Sequence, residues 1–121
     1  MFTQSCFLRK NTPDIQERLK KLGIPHNDFD EGNRPWIAYN HGLWISVDEG
    51  HDRLFPEDID CGDNEELFLA LASLRDDTDR HQWFVDDNTG IWERSENELP
   101  SRYMQMEGHN ATVEEIIKHF T

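Results

Sequence analysis

The sequence predicts a single α+β domain over residues 1–121, with a mostly antiparallel sheet, three helices on one of its faces and the element order β-α-ββ-α-ββ-(β)-α. Three observations lead there. Three segments carry apolar residues at helical spacing behind recognisable start signals. Two aromatic-rich runs fold back on themselves around turns that contain Asn and Gly. A length of 121 residues suits one core and leaves little room for a second.

In chain order, Phe2 to Leu8 is the first strand candidate, most apolar at Phe7 and Leu8. The first helix is expected over Pro13–Leu22. Thr12 can accept from a free N–H at its start, Pro13 suits the first helical position, and Ile15, Leu19 and Leu22 share one face ahead of Gly23. Trp36-Ile37-Ala38-Tyr39, the turn Asn40-His41-Gly42 and Leu43-Trp44-Ile45-Ser46-Val47 read as a hairpin, because Asn and Gly tolerate positive φ. The second helix, over Asn64–Leu74, is expected to start from Asp63 paired with Glu66 at capping-box spacing. Its body, Leu67-Phe68-Leu69-Ala70-Leu71-Ala72, is apolar nearly all round, which predicts burial on most sides at the centre of the domain. Trp83-Phe84-Val85 and Ile91-Trp92-Glu93 flank Asp86-Asp87-Asn88-Thr89-Gly90 as a second hairpin, and Tyr103 to Met106 is a weaker strand. The third helix, Val113–Phe120, opens on a Thr112-x-x-Glu115 capping box and buries Val113, Ile116, Ile117 and Phe120. Residues 27–34 and 49–57 are read as loops.

The two hairpins look like copies: Trp36…Gly42-Leu43-Trp44 aligns with Trp83…Gly90-Ile91-Trp92, one residue longer in the second turn. Residues 12–47 and 64–94 would then be duplicated helix–hairpin units; chance similarity is the competing reading. Duplication predicts two equivalent tryptophan pairs, nearly opposed across each hairpin. It further predicts that three of the four are buried, with Trp92 turned outward by a one-residue register shift.

Leu, Ile, Val and Phe supply 28 residues and the aromatics include four Trp, enough for a folded domain with a modest core. The net charge is −13. Such a balance argues against a nucleic-acid partner, which needs a basic face, and against an anionic membrane surface. No apolar run approaches the roughly 18 residues of a membrane span. The charge is uneven: residues 48–66 hold nine acids against Arg53, while residues 9–21 carry a net +3. Either the acidic run is a solvated loop, or it docks a basic protein surface through Asp52, Asp58, Asp60 and Asp63, with Trp92 as an aromatic anchor. Asp58-x-Asp60-x-Gly62 and Asp86-x-Asn88-x-Gly90 begin like calcium loops, but the glycine comes one residue early, and Leu69 stands where the first would need its closing Glu. No metal site is expected.

Catalytic signatures are sparse. None of the six histidines stands at ligand spacing from another, and no nucleophile elbow or glycine-rich phosphate loop occurs. The alternative to a binding protein is an enzyme or small-ligand binder built around His41, with Asp48, Glu49 or Asp52 orienting it or holding a metal. A concave pocket in which that histidine meets an acid would discriminate the two. Cys6 and Cys61 read as buried thiols. No cofactor is expected, the oligomeric state stays open, and the absence of a secretory signal points to the cytoplasm.

Leu8-Arg9-Lys10-Asn11-Thr12-Pro13 with the helix after it, and Asp60-Cys61-Gly62-Asp63-Asn64-Glu65-Glu66-Leu67-Phe68-Leu69-Ala70, resemble segments of short hypothetical proteins from gut-bacterial and phage-type genomes. The resemblance implies an accessory or mobile-element protein rather than a metabolic enzyme, and it assigns no role to any residue.

Overall fold

The computed structural model describes residues 4–30, 33–40, 42–50, 58–74, 82–94 and 108–121. Within them the order is β1 (Cys6–Leu8), α1 (Pro13–Lys21), β2 (Trp36–Asn40), β3 (Leu43–Val47), β4 (Ile59–Asp60), α2 (Glu65–Ala72), β5 (Trp83–Asp86), β6 (Trp92–Arg94), β7 (Gly108–Asn110) and α3 (Val113–Phe120). The class is α+β and the strands are mostly antiparallel, as expected. One expected sheet is replaced by two, ordered β3-β2-β1-β4 and β6-β5-β7. Strand β4 was not anticipated. It pairs in parallel with β1, Cys6 opposite Ile59 and Phe7 opposite Asp60. The expected strand at Tyr103–Met106 lies outside the described residues; β7 follows it.

Local chemistry explains the helix ends. Thr12 caps α1 by accepting from the Ile15 N–H, with Pro13 in the first turn. At the other end Gly23, at φ 84°, donates to the Lys20 carbonyl, and Ile24 donates to that of Leu19. That pair of bonds turns the chain sharply back along the helix. Helix α2 is capped by Asn64 rather than Asp63. A turn closed by the Asn64 N–H on the Cys61 carbonyl, with Gly62 at positive φ, brings Asn64 to the non-helical position from which its side chain accepts the Leu67 N–H. Both halves of the Thr112–Glu115 capping box are formed.

Helix α2 is the centre of the core. Leu67, Phe68, Ala70, Leu71 and Ala72 are buried, and the helix packs against β1, α1 and α3. The inner face of the four-stranded sheet supplies Cys6, Leu8, Ile37, Tyr39 and Trp44 to the same cluster. Cys6 and Cys61 are free buried thiols, and burial, followed by the neighbouring Cys61 thiol, pushes the Cys6 thiol up.

The tryptophans depart from the expected equivalence. In the first hairpin Trp36 stands opposite Val47 and Trp44 opposite Tyr39, so Trp36 and Trp44 face opposite sides of the sheet. In the second, Trp83 opposes Arg94 and Trp92 opposes Val85, leaving both rings on one face with centroids 6.3 Å apart. Trp44 is buried while Trp36, Trp83 and Trp92 are half-buried. The reason is parity: the partner of Trp44 lies three positions after Trp36, but the partner of Trp92 lies two positions after Trp83.

Candidate functional site

The acids singled out in the sequence are scattered in role. Asp58 is buried. Asp60 takes two 3.0 Å bonds from the Arg9 Nε and accepts the Gly62 N–H at 2.8 Å, and the Arg9 bond is the main reason its carboxyl lies below the ordinary value. Lys10 lies 3.7 Å from Glu65, and Arg18 2.7 Å from Glu66. Arg9, Lys10 and Arg18 therefore meet Asp60, Glu65 and Glu66 within the chain itself. Asp48, Glu49 and Asp63 remain exposed. Asp52 and His41 lie outside the described residues. Trp92 is stacked on His119 at 3.9 Å and meets Phe120 edge-on at 6.1 Å, so it ties β6 to α3.

The two candidate calcium loops are turns built by side chains. Asp86 Oδ1 accepts the N–H groups of Asn88 and Thr89, as Asp60 Oδ1 accepts that of Gly62. Among the described residues no three His, Cys, Asp or Glu side chains converge as a metal set. No described helix is long and apolar enough to cross a membrane.

A pocket where a histidine meets an acid does exist, but the histidine is His26. The reversal at Gly23 sends Ile24 into the core and lays residues 25–27 beside β3. The Trp44 N–H donates to the Pro25 carbonyl at 3.0 Å, and the Asn27 N–H donates to the Trp44 carbonyl at 2.9 Å. Paired in this way, the His26 imidazole stacks on the Trp44 indole, centroids 4.0 Å apart. Asn27 then accepts the Phe29 N–H on its side chain and the Asp30 N–H on its carbonyl, which closes a turn with Phe29 98% exposed at the tip. The turn returns Asp30 to the sheet. Its carboxylate is only 3% exposed and accepts from the backbone N–H of Ser46, from Ser46 Oγ at 2.7 Å and, at 2.8 Å, from His26 Nε2. Ser46 and Trp44 alternate with outward residues on β3, so one strand face supports both partners of the histidine.

This assembly forms one wall of a concavity of about 710 Å³. The opposite wall is the outer face of α1, with Pro13, Gln16, Glu17 and Lys20 one turn apart, and Gly23, Ile24 and Pro25 form its end. A His oriented by a buried carboxylate, beside an aromatic floor, can receive or give a hydrogen bond to a molecule in the groove. The signal in the sequence is faint. His26 and Asp30 are four residues apart, but in a loop that spacing implies no contact, and Ser46 lies sixteen residues further on. Comparison of the chain with protein-family models, with curated proteins and with solved structures finds no match.

Proposed function

We propose that this protein binds a small, largely planar organic ligand in the groove between α1 and β3. One observation carries the reading: a concavity within the roughly 300–1,000 Å³ typical of ligand sites is walled by an aromatic stack whose polar member is held by a buried carboxylate. Pro13, Ile24, Pro25 and Trp44 favour an apolar body, while His26, Glu17 and Lys20 supply the few polar contacts that fix orientation. The direct test is a nuclear magnetic resonance titration with a panel of planar fragments, following the Trp44 indole N–H and the His26 ring. Shifts confined to the groove residues are expected, and Glu17→Trp, which fills the groove from its exposed wall, abolishes them. A panel in which no fragment moves these signals overturns the reading.

A second reading keeps the docking of a basic protein surface. Its support is that Asp48, Glu49 and Asp63 stay exposed in a chain of net charge −13. Asp58 and Asp60 leave the docking set, one by burial and the other by its pairing with Arg9. Neutralising Asp48, Glu49 and Asp63 together slows association with such a partner and flattens its dependence on salt. Capture that is equally strong at low and high salt overturns it.

A further inference from the structure

Resting on the groove reading, we infer that the site selects ligands that present a hydrogen-bond donor, a hydroxyl on a planar ring, to Nδ1 of His26. Asp30 faces at least three donor positions: the Ser46 N–H, which can only donate, the Ser46 hydroxyl, and His26 Nε2. An ionised carboxylate accepts all three, and Oδ2, already accepting the Ser46 N–H, meets His26 Nε2 as an acceptor. In its neutral form the imidazole therefore carries its proton on Nε2 and Nδ1 is left with a lone pair, and it is this form that accepts from a ligand.

Nδ1 has no hydrogen-bond partner among the described residues, and the His26 side chain is 33% exposed where it lines the groove. The ring cannot easily turn to reverse the assignment. Its stacking on Trp44 and the backbone bonds on either side of it hold its plane; a flip would replace the Nε2 contact with a C–H, and the other tautomer would set a lone pair against the buried carboxylate. Asp30 thus sets not only where the histidine points but what it asks of a ligand. A ring bearing a hydroxyl satisfies Nδ1 while its body rests on the apolar wall. A ring bearing only an ether or carbonyl oxygen brings a lone pair to a lone pair.

Phenol and anisole test this, since they share a ring and differ in the donor. Long-range ¹H–¹⁵N spectra of the free protein should show His26 as the Nε2–H tautomer. Phenol should bind about three- to tenfold more tightly than anisole, the span of one hydrogen bond, and should shift the Nδ1 resonance where anisole does not. In His26→Phe, which keeps a ring on Trp44, the two probes should bind alike. Because that variant leaves Asp30 without one donor, the tautomer and the phenol-to-anisole ratio in the wild-type protein stand as independent measurements. An Nδ1–H tautomer, or equal affinities in the wild-type protein, overturns the inference and leaves the groove reading intact. Failure of both probes to move the Trp44 indole overturns the groove reading, and with it this one.

Discussion

His109 sits between two carboxylates from different elements, Asp87 at 2.9 Å from Nδ1 and Glu115 at 2.7 Å from Nε2. Both ring nitrogens can donate only in the imidazolium, so Glu115 first and Asp87 after it hold the His109 pKa above its ordinary 6.5. Glu115 is held below its ordinary 4.5, chiefly by the Thr112 N–H of the capping box and then by His109. A raised histidine contributes stability that is complete below 6.5 and is lost as pH climbs through the folded value. A lowered glutamate contributes stability that is present above 4.5 and lost as pH falls through the folded value. The clasp on α3 is therefore strongest between those limits. Thermal unfolding should show a drop in Tm above pH 6.5 that is smaller in His109→Gln, and solvent screening keeps the effect modest because the cluster is exposed. An identical drop in that variant would remove His109 as its source. The helix caps, including the one on which this clasp depends, were legible, since Thr12 and Thr112 act on N–H groups three residues away. The His26–Asp30–Ser46 set was not, because its parts meet only after a helix end, a turn and a strand have been placed.

Helix α2 shows the same divide among the elements. Its uniformly apolar body announced burial, and Leu71 is fully buried between β1 and the flanking helices. Leu71→Ala should cost about 2–5 kcal/mol in denaturant unfolding, the range for a cavity in a packed core; a cost near zero would show a site free to collapse. Strand β4 was invisible for the opposite reason. Two residues, Ile59 and Asp60, carry no period, and their pairing with β1 is supplied by a segment some fifty residues earlier. The division into two sheets is likewise a matter of partners rather than pattern, since each hairpin looks the same from its own residues. Strand β7 offers a sharper test. A Cβ added at Gly108 would lie 2.6 Å from the Phe84 ring and closer still to the Val85 carbonyl. Gly108→Ala should therefore separate β7 from β5 and lower Tm, whereas an Ala at the open turn position Gly90 meets no atom and is opposed only by its positive φ of 72°. Hydrogen exchange at Ala111, whose N–H donates to the Trp83 carbonyl, would report the separation directly.

Across the molecule, 25 acids face 12 bases, and Arg9, Lys10 and Arg18 are already engaged by Asp60, Glu65 and Glu66. Salt screens both the internal pairs and the general repulsion, so the sign of its effect decides which is larger. Exposed pairs contribute roughly 0–1 kcal/mol each, and the repulsion of a −13 chain acts over a Debye length of about 30 Å at 0.01 M salt. Tm should therefore rise with sodium chloride; a fall would mean that the three clasps outweigh the repulsion. The strip of chain that carries His26 has one more effect on the whole. Strand β3 closes one side of its sheet, and residues 25–27 occupy the backbone groups of Trp44 that would otherwise recruit a further strand. The opposite border, β4, is only two residues long. The strip over β3 is thus also a guard against edge-to-edge self-association, and variants that loosen it at His26 or Asp30 should first betray themselves by aggregating.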